Sequence, residues 1–114
     1  MIKEKAQLIV ETVSNARGGN GDIFRQAIFT PEQMHDKGLV CAVMTIPPGS
    51  SIGHHAHNPD AELYYILSGT LRITDDDITK DLTAGDAVFT GGGSTHSAEN
   101  VSNEDAVMLA FVVK

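Results

Sequence analysis

The chain has 114 residues, the size of a single domain, and its hydrophobic content of 41% excludes wholesale disorder. A formal net charge of −7 and basic residues scattered one at a time argue against nucleic acid and anionic membranes as partners. The single cysteine, Cys41, excludes a disulfide within the chain, and because no long apolar run marks a signal peptide or a membrane span, we expect a cytoplasmic protein.

The apolar residues fall in short runs, separated by glycine, proline, asparagine and aspartate. Several runs are rich in Val, Ile, Thr, Phe or Tyr, which favour strands. In chain order the predicted strands are Leu8 to Val13, Ile23 to Phe29, Leu39 to Ile46, Leu63 to Leu67, Leu71 to Thr74, Ala87 to Thr90 and Ala106 to Val113. Short strands at regular spacing are typical of a β-sandwich or barrel.

Three segments between these strands have distinct compositions. Residues 14–21 are rich in glycine and asparagine and predict a flexible loop, which is either a lid over a site or, more commonly, a loose connection. Thr30 to Gln33 combines a capping threonine, a proline and a capping-box glutamine, and Gly38 follows, so we expect one short helical turn. Asp75 to Asp77 is interpreted as a solvated turn in preference to a cation site.

Four ligand-type side chains point to a metal site. His55 and His57 are two residues apart, so on a strand they share a face and can chelate one ion. Residues 58–61 form a loop, after which Glu62 opens the next strand and can return its carboxylate to the ion. His96 must come from a different hairpin. Imidazole and carboxylate ligands suit Mn, Fe, Ni, Co or Zn.

The spacing of the first cluster resembles that of the cupin family. Its first motif is G-x5-H-x-H-x3–4-E-x6-G, and the chain has Gly49, His55, His57, Glu62 and Gly69 at these spacings.

The second cupin motif, G-x5-P-x-G-x2-H-x3-N, is matched by Gly85, Gly93, His96 and Asn100. The one departure is Gly91, which stands where the family has proline. Replacing proline by glycine removes stiffness from the loop that delivers His96, and it also allows a substrate to approach the backbone closely; the first effect is our expectation.

The resemblance implies an all-β fold, the double-stranded β-helix or jelly-roll barrel, as one domain over residues 1–114. The barrel would span about residues 36–113, with an N-terminal strand and loop in residues 1–35. The resemblance also implies one divalent transition metal per chain (Mn, Fe, Ni or Zn), held by His55, His57, Glu62 and His96. Four protein ligands on a six-coordinate ion leave two positions open.

Tyr64 follows Glu62 by two residues and should share its inward face. We name it as the candidate catalytic proton donor, the other interpretation being a wall residue of the barrel. Arg25 and Arg72 are the strand-borne arginines, and for each we expect an outer position in preference to a substrate clamp.

Other reactive side chains are interpreted as structural or exposed. His54 faces away from the ligands by strand alternation, and His35 lies in the polar turn. Cys41 lies in an apolar strand, where we expect it to be a small buried apolar residue in preference to a nucleophile.

For function, the resemblance leads to a metal-dependent enzyme acting on a small carboxylate, diketone or enediol. Dioxygenation or decarboxylation is the expected reaction type, with isomerisation or lysis next. The alternative is a non-catalytic binding module for a sugar or small acid, and a third is a structural unit with a relict metal site. The partners predicted are a small molecule in the barrel and a second copy of the chain in a homodimer, but no nucleic acid and no membrane.

Overall fold

The computed structural model describes residues 1–114 and consists almost entirely of strands. The ten strands are β1 Val10–Ser14, β2 Asp22–Phe29, β3 Gly38–Ile46, β4 Ser51–Ala56, β5 Ala61–Ser68, β6 Thr70–Asp75, β7 Ile78–Thr83, β8 Ala87–Thr90, β9 Thr95–Glu99 and β10 Ala106–Val113. Two single 3-10 turns, Lys5–Gln7 and Ala16–Gly18, complete the regular structure. No helix is long and apolar enough to cross a membrane.

The strands form two antiparallel sheets. One has six strands in the order β1-β2-β3-β10-β5-β8, and the other has four in the order β4-β9-β6-β7. Most strands that pair within a sheet are not consecutive in the sequence. The last strand, β10, for example, lies between β3 and β5 and pairs with both. This two-sheet arrangement confirms the predicted all-β, jelly-roll fold.

The core lies between the sheets because alternate residues of each strand face inward. Along β10 every second side chain is buried, beginning with Ala106 and Met108, while the residues between them are half-buried on the outer face. Ile46, Ile66 and Leu71 are each fully buried and fill the space from three other strands. Burying a side chain of this size stabilises the fold by about 1.5–3 kcal/mol.

The segment predicted as a helical turn is a series of hydrogen-bonded turns, and no regular helix forms there. The predicted capping box is present, since the Thr30 amide donates to the Gln33 side chain (3.1 Å) and the Gln33 amide donates to the Thr30 hydroxyl (3.2 Å). The helix does not propagate because His35 (φ 53°) and Asp36 (φ 57°) adopt left-handed conformations.

Candidate metal centre

The fold brings His55, His57, Glu62 and His96 together between the two sheets. His55 on β4 is the register partner of His96 on β9, and His57 lies just beyond the end of β4. Glu62 reaches the same point from β5, in the opposite sheet. His57, Glu62 and His96 are buried and His55 is half-buried, so the cluster lies inside the sandwich.

One atom of each side chain points at a common centre. The Nε2 atom of His96 lies 3.1 Å from the Nε2 atoms of both His55 and His57. The Glu62 Oε1 atom lies 3.1 Å from the Nε2 atoms of His57 and His96 and 3.9 Å from that of His55. All four ligand atoms lie within 4.8 Å of one another, which is the spacing of a single-ion site.

Outer contacts set the tautomers of two of these histidines. The Nδ1 atom of His55 lies 2.7 Å from the carbonyl oxygen of Gly53, and that of His57 lies 3.1 Å from a carboxylate oxygen of Asp60. A carbonyl and a carboxylate only accept hydrogen bonds, so each Nδ1 donates and each Nε2 presents a lone pair to the centre. Converging lone pairs repel one another, and a cation among them removes that repulsion; the donor set therefore fits a divalent ion.

The charge of the cluster also favours a cation. Burial acts to raise the pKa of the Glu62 carboxyl, but the neighbouring His55, His96 and His57 side chains outweigh burial and lower the pKa to about 2. The carboxylate is therefore ionised, and with three neutral imidazoles a divalent ion would carry a net charge of +1. Such a centre attracts anions.

Tyr64 is the aromatic wall of the cluster. Its ring stacks on the His96 imidazole at 4.5 Å between centroids and 9° between planes, and only 1% of the residue is exposed. Burial, and then the neighbouring Glu62 carboxylate, raises the pKa of Tyr64 well above its ordinary value, while Arg17 lowers it. Tyr64 therefore has the inward position that the sequence predicted and keeps its proton at neutral pH.

A cavity of about 320 Å³ opens onto the cluster. Ile23, Met44 and Ile52 contribute to an apolar wall that is continuous with the core. Two arginines, Arg17 and Arg25, line the same cavity. A space of this size, with an apolar wall and charged side chains, suits a small ligand that is oriented by charge.

The loop of residues 14–21 is packed against β4 and is not a loose connection. The Asn20 amide donates to the Ser51 hydroxyl (2.9 Å), the Asn20 side chain donates to the Gly49 carbonyl (3.0 Å), and the Ser51 amide donates to the Asn20 carbonyl (2.8 Å). Arg17 was missed from the sequence because a lone arginine in a glycine-rich segment has no periodic signal. The pair of glycines after it, Gly18 and Gly19, is the one hint of a close approach.

The remaining reactive residues lie away from the centre or are already paired. His54 and His35 are exposed, and burial raises the pKa of the Cys41 thiol, which fits a packing role. Arg72 is exposed and pairs with Asp81 (2.9 Å). The outer position expected for Arg25 is wrong, because Arg25 lines the cavity.

Gly91, which stands where the cupin motif has proline, packs closely against Ala61. A Cβ atom on Gly91 would lie 2.7 Å from the Cβ of Ala61 on the adjacent strand, so β5 leaves no room for a larger residue. The following Gly92 (φ 65°) and Gly93 (φ 91°) adopt left-handed conformations that favour glycine. The Gly93 amide donates to the His57 carbonyl (2.9 Å), which joins the two ligand-bearing segments.

The comparisons with known proteins agree with this arrangement. Residues 42–112 match the family described as "Cupin domain". The "Oxalate-binding protein" of Thermotoga maritima is 38% identical over 113 residues, covering 99% of this chain and 93% of that protein. A solved structure described as a "predicted oxalate decarboxylase" from the same organism has a TM-score of 0.94 at 38% identity, covering 99% of this chain and 98% of that one.

A more distant structure shares the fold alone. An RmlC-like cupin from Shewanella frigidimarina has a TM-score of 0.77 at 20% identity, covering 97% of this chain and 87% of that chain. The matched family region contains all four ligand residues, and the fold and the motif spacing agree with it. This chain belongs to the cupin family.

Proposed function

We propose that this chain is a metal-dependent enzyme that decarboxylates a small dicarboxylate of the oxalate type. The observation that carries the proposal is the His55, His57, Glu62 and His96 cluster, which lies beside a small cavity with an apolar wall. The Thermotoga maritima relatives, named for oxalate, favour decarboxylation over the dioxygenation that the sequence also allows.

The four cluster residues would hold one Mn, Fe, Ni or Zn ion per chain. When bound, such an ion polarises the carboxylate oxygens of a chelating substrate and stabilises negative charge that develops on them. Gly53 and Asp60 orient two of the imidazole rings, those of His55 and His57.

Decarboxylation of oxalate breaks the carbon–carbon bond and releases carbon dioxide. The other carbon retains the electron pair and must receive a proton, which gives formate. Tyr64 is the residue we assign to that proton transfer, because its hydroxyl is protonated, buried and part of the cavity wall. The apolar wall limits the access of water to the reacting carbon.

A second candidate is binding without turnover. The name of the Thermotoga maritima relative refers to binding and not to a reaction, and this observation favours a module that retains oxalate.

The test is to load the chain with Mn(II), add ¹³C-labelled oxalate, and follow labelled formate and bicarbonate by NMR. We expect both products from the wild type, and a loss of about 10²–10⁴-fold in turnover for Tyr64→Phe with oxalate binding retained. Calorimetric binding of oxalate without formate would support the second candidate. Failure of the metal-loaded chain to bind oxalate at all would contradict both.

We also propose a homodimer that pairs through the outer face of the six-stranded sheet. Apolar outward side chains of β3, β10, β5 and β8 lie in register across this half of the sheet, so the apolar surface is continuous. These residues are Cys41, Val43, Leu63, Tyr65, Phe89, Leu109 and Phe111.

A cytoplasmic location, predicted from the single cysteine, stays a prediction.

A further inference from the structure

The cavity beside the ligand cluster contains two arginines that differ in one respect. Arg25 is paired with Glu11, whose Oε1 atom lies 2.7 Å from the Arg25 Nε and Nη2 atoms. Arg17 forms no ion pair and no side-chain hydrogen bond with the rest of the chain. Arg17 is exposed, so its guanidinium is a free cation on a residue that lines the cavity and is available to an anionic ligand.

The backbone at Arg17 is held in place by close packing on β4. A Cβ atom on Gly53 would lie 2.2 Å from the Arg17 carbonyl oxygen, and a Cβ atom on Gly19 would lie 2.3 Å from the Ser51 carbonyl oxygen. These glycines allow the Ala16–Gly18 turn to lie directly on the strand that carries His55. The position of Arg17 relative to the ligand cluster is therefore set by backbone packing.

Arg17 also adopts a strained conformation, with φ 54° and ψ 33°. A long side chain seldom occupies this left-handed region, because its Cβ crowds the backbone. Strain of this kind is retained where the surrounding structure over-determines it, and such positions cluster at ligand-binding sites.

We propose that Arg17 binds the carboxylate oxygens that a metal-chelated dicarboxylate turns toward the cavity, and so selects dicarboxylates over other chelating ligands. A dicarboxylate that chelates an ion through one oxygen of each carboxylate keeps two oxygens free. The planar guanidinium matches such a pair of oxygens with parallel N–H donors. This inference rests on the proposed function, because it requires oxalate-type ligands at the metal.

The experiment compares two chelating probes on the Mn(II)-loaded chain by calorimetry. Oxalate leaves carboxylate oxygens free after chelation, whereas acetohydroxamate chelates through two oxygens and turns a methyl group outward. We expect Arg17→Gln to weaken oxalate binding about 10- to 100-fold and to leave acetohydroxamate binding unchanged. Arg17→Lys, which restores the charge without the fork, should recover part of the oxalate affinity.

Arg72→Gln is the matched control, since it removes the same charge from an exposed arginine on β6 that pairs with Asp81. Arg72→Gln should bind oxalate and acetohydroxamate with wild-type affinity. Elemental analysis should show that every variant retains its manganese. Wild-type oxalate affinity in Arg17→Gln, or an equal loss for both probes, would overturn the role of Arg17 and leave the proposed function standing. A wild type that binds acetohydroxamate but not oxalate would overturn the proposed function, and the role of Arg17 with it.

Discussion

Two residues outside the ligand set fix the tautomer and ring orientation of two of the three ligand histidines. The Gly53 carbonyl and the Asp60 carboxylate each accept a hydrogen bond from a ligand imidazole, at His55 and His57 respectively. The Gly53 contact comes from the backbone and no side-chain substitution removes it, but the Asp60 contact depends on a side chain. We therefore expect metal affinity to depend more directly on Asp60 than on Gly53.

Replacing Asp60 by alanine should weaken metal binding about 10- to 100-fold, because the His57 ring loses the acceptor that fixes its tautomer and orientation. Competition with a fluorescent chelator for Zn(II) measures the change. His54→Ala is the control, since His54 is exposed and close by in sequence. Equal zinc affinity in Asp60→Ala and wild type would contradict this role.

At the scale of elements, the turn between β6 and β7 supports the loop that delivers His96. The Asp76 carboxylate accepts hydrogen bonds from the Thr95 amide (2.9 Å) and the Ser94 hydroxyl (2.8 Å), and the Asp76 amide donates to the Thr95 carbonyl (2.8 Å). These bonds hold the segment immediately before His96. They supply the restraint that the motif proline would give and that Gly91 to Gly93 cannot.

The support from Asp76 should depend on pH. The hydrogen bond from the Thr95 backbone, followed by the one from Ser94, lowers the pKa of Asp76 below its ordinary value. A carboxyl whose pKa is lower in the folded state stabilises the fold above its unfolded pKa, and this stability is lost as the pH falls through the folded value. We therefore expect Asp76→Asn to melt at a lower temperature than the wild type at neutral pH.

The difference between Asp76→Asn and wild type should shrink as the pH falls below the ordinary aspartate pKa of about 3.9 and through the lower pKa of the folded state. Melting of both metal-free proteins from pH 7 to pH 3, followed by circular dichroism, measures this difference. A gap in melting temperature that stays constant with pH would show that the carboxylate charge has no part in the support.

Strands with an apolar alternation were predictable, and so was the ligand spacing. β3 and β10 combine β-branched residues with a clear inner face, so their bounds were predicted to within a residue or so. β7 was missed because almost every side chain in it is exposed, and β9 because Ala98 is its single apolar residue. Arg17 escaped prediction because its place depends on contact with β4, which is distant in sequence.

At the scale of the whole molecule, the apolar outer face of the six-stranded sheet predicts self-association. Phe89 is 62% exposed on this face, and Phe89→Asp would place a charge in the proposed interface. Sedimentation velocity should show a dimer for the wild type and a monomer for Phe89→Asp. Ile78→Asp is the control, because Ile78 is similarly exposed (58%) but lies in the four-stranded sheet. A wild type that sediments as a monomer would contradict the homodimer.

The distribution of the four ligands over both sheets links metal retention to the integrity of the sandwich. Glu62 belongs to the six-stranded sheet, whereas His55 and His96 belong to the four-stranded sheet. An ion held by all of them would connect two layers that otherwise meet through packed side chains and a hydrogen bond from the Thr90 hydroxyl to the Asp75 carboxylate (2.8 Å). Separation of the two sheets would then release the ion. We therefore expect the lifetime of the metal-bound protein to follow the rate at which the sheets separate, and not the strength of any one metal–ligand bond.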